Sequence, residues 1–153
     1  MRDLVIFLLA VAPALFGQVA TLTLSPGADS GTANLVLVYN SADPADGIAE
    51  MQWMLTHQKD FPIHVAAGQA AKDAGKELLC SPVADGTKCL LIGKDEKTIR
   101  DGVVAEVSVK FSKTTIGLTK TLGITAQGKS IPIAVGFPPG RRPWWSWPRG
   151  GPR

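Results

Sequence analysis

The segment that most constrains the fold is Gly102-Val-Val-Ala-Glu-Val-Ser-Val-Lys-Phe-Ser112. Val103, Ala105, Val107, Val109 and Phe111 alternate with Val104, Glu106, Ser108, Lys110 and Ser112. Side chains of an extended chain point to opposite faces in turn. The pattern therefore predicts a half-buried β-strand of about ten residues, with the first set inward.

Shorter segments fill most of the chain, most of them alternating in the same way, with Ala33–Asn40 apolar on both sides and Ile116–Ala126 less regular in phase. Val19–Leu24, Ala33–Asn40, Ile48–Leu55, Phe61–Val65, Lys76–Cys80, Lys88–Ile92, Ile116–Ala126 and Ser130–Val135 each read as a strand. Between them lie turn-forming stretches such as Ser25–Thr32, Ser41–Gly47, Asp85-Gly86 and Gln127-Gly-Lys129. Gly68–Gly75 is Ala-rich and reads either as one or two helical turns or as a loop over a sheet edge. Long amphipathic helices are absent from the pattern. The predicted class is all-β, an antiparallel β-sandwich of eight or nine strands. In the third segment Ala49, Met51, Trp53 and Leu55 share the core face, and a buried Trp53 indole N–H needs a hydrogen-bond partner. Pro132 has no amide donor, which predicts a sheet edge or an outward-facing amide at that point.

The two ends differ from this body. Leu4 to Phe16 is an apolar run of thirteen residues behind Arg2, with Gly17 or Ala20 available before a cleavage point. Residues 1–17 thus have the layout of a secretory signal peptide, the alternative being a buried N-terminal strand or helix. The run is shorter than the roughly 20 residues that span a bilayer, so no transmembrane anchor is expected. Residues 138–153 are rich in Pro, Arg, Trp and Gly, a composition that cannot build a packed element, and are expected to be a disordered tail. The folded domain is expected at 18–137.

Charge and cysteine usage exclude some functions. The chain has 16 Lys and Arg and 13 Asp and Glu. Arg2, Arg141, Arg142, Arg149, Arg153 and Asp3 lie outside residues 18–140, which leaves 11 basic and 12 acidic residues in the body. A nucleic-acid reader would carry a basic face, and no such excess exists here. Cys80 and Cys89 flank eight turn-rich residues. In an exported chain this suggests a disulfide, with two buried thiols as the alternative. Neither has a second Cys or a His at ligand spacing, which argues against a metal site.

Catalytic chemistry finds little material. His57, in a loop, and His64, on an outward strand face, are the available imidazole bases, and neither has a nucleophile motif beside it. Asp43 with Asp46, or Asp95 with Glu96, could contribute to a Ca²⁺ site, but the ion takes 6–8 oxygen ligands and no run has the alternating acidic pattern of a dedicated loop. Solvated turns are the better reading, and no cofactor is expected.

The order of features resembles cohesin domains and their structural relatives, the family 2 and family 3 carbohydrate-binding modules. The resemblance rests on Thr98–Phe111, where Ile99, Gly102, Val103 and Phe111 match the family's approach to a strand ending in Phe. It also rests on Thr125–Ile133 before the closing strand, on Ala49–Leu55, and on Ala66-Ala-Gly68 with Ala74–Cys80. It spans about Val19 to Val135 and implies a nine-stranded jelly roll, an extracellular or periplasmic location and a non-catalytic binding role. The implied partner is a dockerin-like protein module in a polysaccharide-degrading or cell-surface setting. The alternative is polysaccharide, bound by exposed aromatics. Tyr39, Trp53, Phe61 and Phe111 are mostly phased inward, and Trp144, Trp145 and Trp147 lie in the tail. The chain departs from the family where the closing strand should continue, at Gly136-Phe-Pro-Pro-Gly140. Glu106, Ser108 and Lys110, on the polar side of the central strand, are the expected binding residues.

Overall fold

The computed structural model describes residues 19–29, 31–109 and 116–136. The expected signal peptide, the tail, and Lys110, Phe111 and Ser112 lie outside the described residues.

Nine strands form in the order the alternation predicts: β1 (Ala20–Pro26), β2 (Thr32–Tyr39), β3 (Ile48–Thr56), β4 (Ile63–Ala67), β5 (Glu77–Val83), β6 (Gly86–Ile92), β7 (Gly102–Val109), β8 (Gly117–Thr125) and β9 (Ser130–Gly136). The Ala-rich segment is a short helix, α1 (Gln69–Asp73), packed on β7. Hydrogen bonding orders the strands β4-β7-β2-β1-β9-β8-β3-β6-β5 in one continuous sheet. That sheet folds over into two layers, β4-β7-β2-β1-β9 and β9-β8-β3-β6-β5, which share β9.

β9 is the hinge of this arrangement. Ser130, Ile131 and Pro132 pair antiparallel with β8, and Ile133 to Gly136 then pair parallel with β1. One parallel pair therefore enters an otherwise antiparallel fold. Pro132 is not on an edge strand, as one reading of it required. It is the last residue bonded to β8, where the ladder changes partner and a missing amide donor costs least.

The core lies between the layers. Ala20, Leu22 and Leu24 of β1 and Ala33, Leu35 and Leu37 of β2 face Met51, Trp53, Leu55, Cys89 and Leu91 of the other layer in one apolar cluster. Three register shifts break the simple alternation, the first at the start of β3, where Ile48 pairs with Thr125 but Glu50 with Ile124 and both Ile48 and Ala49 are buried. On β7, Leu35 pairs with Ala105 but Val36 pairs with Val103, so Val104 is the extra residue of a β-bulge. As a result Val104 is fully buried and Val103 only partly, the reverse of the phase predicted for those two positions. On β8, three steps of chain oppose two on β3 between Thr119 and Leu122, and Lys120 takes φ +53° there. This explains the irregular phase of that segment. Trp53 is buried as expected, yet its indole N–H has no hydrogen-bond partner among the described residues, because the cluster around it is apolar.

Candidate docking face

The outer faces of the two layers differ in chemistry. On β4-β7-β2-β1-β9, Glu106 is exposed and Ser108 partly buried. Their cross-strand neighbours are Ala66 and His64 on β4 and Asn34 and Thr32 on β2. Asn34 in turn pairs with Ser25, and Val36 and Val38 pair with Thr23 and Thr21. This face carries the expected binding residues Glu106 and Ser108 and is largely polar, with Val38, 44% exposed, as its main apolar projection.

The other layer presents a different surface. Inward residues of β3 and β6 are Met51, Trp53 and Leu55 with Cys89 and Leu91, so the alternate positions face out. Following the register laterally, Leu79 of β5 lies opposite Leu90 of β6, Leu90 opposite Gln52 of β3, Gln52 opposite Leu122 of β8, and Leu122 opposite Pro132 of β9. One step along, Ile92 pairs with Glu77, and Ile124 pairs with Glu50 and Ser130. One step the other way, Met54 stands between Lys88 and Thr119. An apolar band on β5, β6, β8 and β9, interrupted at its middle by Gln52 of β3, therefore lies on a face turned to solvent, with Glu50, Glu77, Ser81 and Lys88 around it. Leu79 is 44% exposed, and Leu90, Ile92, Leu122 and Ile124 are partly exposed. A solvated sheet face is ordinarily polar, and a contiguous exposed apolar patch marks an interaction site.

At one end of this face is a depression of about 300 Å³, lined by Gln52, Met54, Lys88, Lys120 and the β5–β6 turn. The turn is tight because Gly86 sits against the Leu55 carbonyl, where any Cβ would collide. The amide of His57 donates to the Asp85 carbonyl, and the His57 ring nitrogens lie 3.0 Å from the Gln58 carbonyl and 2.9 Å from Thr87 Oγ1. His57 thus ties the loop after β3 to β6. The hairpin is closed by a Cys80–Cys89 disulfide across a directly opposed pair, with Cα atoms 4.1 Å apart. Of the two readings of these cysteines, the bridged one is realised.

Asp43, Asp46 and Asp95 have structural partners. Asp43 caps the 3₁₀ turn at Pro44–Asp46 by accepting from the Ala45 amide, and Asp46 accepts from Ser41 Oγ. Asp95 accepts from the Lys97 amide, and Lys76, whose side chain is fully buried, reaches it at 3.4 Å. The Lys97 hydrogen bond first, and the Lys76 ammonium second, hold the Asp95 carboxyl below its usual range. The Tyr39 hydroxyl donates to the Ile99 carbonyl at 2.6 Å and accepts from the Ile48 amide at 2.9 Å. Burial, with the nearby Asp101 carboxylate, raises the Tyr39 pKa. No group of three or more His, Cys, Asp or Glu gathers among the described residues, and no helix among them is long and apolar enough to cross a membrane. Of the described aromatics, Trp53 is buried and Tyr39 and Phe61 are partly buried, so they form no exposed planar strip.

The sequence points to Glu106, Ser108 and Lys110 as binding residues and does not single out the band on β6 and β8. The available signal was Leu90-Leu91-Ile92, which is apolar on both sides of a strand. Lys88–Ile92 reads from sequence only as one strand of a hairpin, and among the described residues no element covers its outer face.

No family model and no curated protein matches the sequence. The fold does match solved structures. One is the cohesin of a type I cohesin–dockerin complex from Clostridium thermocellum, with a TM-score of 0.58 at 17% identity over 78% of this chain and 90% of that one. A second is a non-cellulosomal cohesin from the archaeon Archaeoglobus fulgidus, with a TM-score of 0.57 at 12% identity over 76% and 85%. A third is the cohesin module of a family 33 glycoside hydrolase from Clostridium perfringens, with a TM-score of 0.56 at 12% identity over 79% and 99%. The described domain therefore has the cohesin fold.

Proposed function

We propose that this chain is a non-catalytic, cohesin-type interaction module that docks a dockerin-like protein module on the outer face of β9-β8-β3-β6-β5. The observation that carries this reading is the apolar band from Leu79 through Leu90 and Leu122 to Pro132, solvent-facing and rimmed by charge. An apolar centre inside a polar rim is the anatomy of a protein interface. The similarity in fold to a cohesin found in complex with a dockerin adds support. We also propose that the protein works outside the cytoplasm, for which the Cys80–Cys89 disulfide is the support. A sugar-binding reading lacks the stacking platform it needs among the described aromatics.

The test is co-precipitation from the producing organism's secreted proteins, followed by titration with the captured module. Leu90→Asp and Leu122→Asp place a charge in the centre of the band at partly exposed positions. Each should weaken binding by at least about 30-fold, as central interface residues do, with the circular dichroism of the fold unchanged. Glu106→Lys, on the other layer, should leave binding intact. Capture that survives both aspartates and fails with Glu106→Lys would move the site to the β7 face.

A further inference from the structure

A second surface lies where the sheet fails to close. β4 and β5 are the two ends of the strand order, and they face each other across a groove of about 480 Å³. Ile63, Val65 and Leu78, which pack on the core from below, line it together with His57, Lys59 and His64. The chain's two histidines thus come to one groove, and no Asp or Glu is among the residues that line it.

The β5 edge is open to this groove. Cys80 and Cys89 oppose each other at 4.1 Å between Cα atoms, the spacing of a non-hydrogen-bonded pair. Leu79 and Ser81 therefore bond to β6, while Leu78 and Cys80 turn their N–H and C=O groups away from it. Pro82 follows with a carbonyl and no donor, which ends the run of usable donors. An unpaired strand edge is a template for another strand, with backbone bonds supplying affinity and side-chain pockets supplying selectivity.

We infer that this seam accepts an extended acidic peptide segment, which adds as a strand to the β5 edge, places an apolar side chain on the Ile63–Val65–Leu78 floor and sets carboxylates against Lys59 and His64, the His57 ring being held by Gln58 and Thr87. Charge complementarity selects an acidic occupant, and the exposed backbone donors select an extended one. The surface is separate from the docking face, although β5 serves both: Leu79 points to the face, and Leu78 and Cys80 to the seam.

The probes are an acetylated, amidated hexapeptide of alternating Glu and Val, its Lys–Val counterpart, and glutarate. They are titrated into the oxidised protein while backbone amide NMR shifts are followed. The Glu–Val peptide should move the amides of Leu78, Cys80 and Val65, and the Lys–Val peptide should not. Lys59→Glu combined with His64→Glu, both at exposed positions, should weaken the Glu–Val peptide by about tenfold or more. The same variant should bind a dockerin-like module as the wild type does, which separates failure here from failure of the docking face. Equal binding of both peptides, binding untouched by the double variant, or shifts confined to Leu90 and Leu122 would overturn the inference. So would glutarate binding as tightly as the peptide, which would make this a small-carboxylate site. Concentration-dependent shifts at the seam without any peptide would instead assign it to a second copy of the chain.

Discussion

Tyr39 illustrates how single residues hold this fold. Its hydroxyl satisfies the Ile99 carbonyl and the Ile48 amide together, while its own amide donates to Asp101 at 3.2 Å. Removing the hydroxyl leaves two partners inside the protein, so Tyr39→Phe should cost about 1–3 kcal/mol in urea unfolding at neutral pH. The raised pKa adds a pH signature. A group whose folded pKa lies above its unfolded value of about 10 contributes stability that is complete below that value and lost as pH rises through the folded one. Wild-type stability should therefore fall more steeply above pH 10 than that of Tyr39→Phe, read as urea midpoints across an alkaline series. Asp95 runs the other way: its lowered pKa gives a contribution present above the ordinary carboxylate range and lost as pH falls through the folded value. At this scale the sequence was informative about burial and poor about partners. Alternation put Trp53 in the core, but nothing in the spacing told that its N–H would find only apolar neighbours.

At the scale of elements, β5 is the exception in an otherwise well-buried set. Six of its seven residues are exposed, with Leu78 the partly buried one. Its attachments are the ladder to β6 and the Cys80–Cys89 bridge. In the chain-entropy account a loop this small is worth roughly 2–3 kcal/mol. Reduction with dithiothreitol should therefore speed amide hydrogen exchange in β5 and the turn to β6, while β1 and β2, with three core residues each, keep their protection. Uniform loss of protection across all strands would show that the bridge stabilises the whole domain instead. The turn makes its own prediction. Gly86→Ala forces a Cβ into the Leu55 carbonyl and should cost about 1–3 kcal/mol in the same urea assay. Every strand was legible as a short apolar segment between turn residues, most of them by the period of two that a sheet face leaves in the chain, with Ala33–Asn40 and Ile116–Ala126 recognisable by apolar content instead. The bulges at Val104 and Lys120 were not, since a bulge is a difference in count between two paired strands and one strand read alone does not show it.

For the whole molecule, the sandwich leaves two kinds of outer surface. One, with Glu106 and Ser108, is polar as solvated sheets usually are. The other, from Leu79 to Pro132, is apolar on four of its five strands, with Gln52 of β3 between Leu90 and Leu122. The class of fold was legible in the sequence, and so was its likeness to cohesins. The face was not, because Leu90 and Leu122 become neighbours through Gln52 only once β3 is placed between β6 and β8. Lateral order across a sheet is a tertiary property, and no local pattern in Lys88–Ile92 or Gly117–Thr125 encodes it. The central claim is that this band, rather than the β7 face, receives the partner. The direct measurement is hydrogen–deuterium exchange of the domain with and without the captured module, compared strand by strand. Protection gained on Gln52–Met54, Lys88–Ile92 and Leu122–Ile124, with β7 unchanged, is the predicted result. Protection gained at Glu106 and Ser108, with β3, β6 and β8 unchanged, would contradict it.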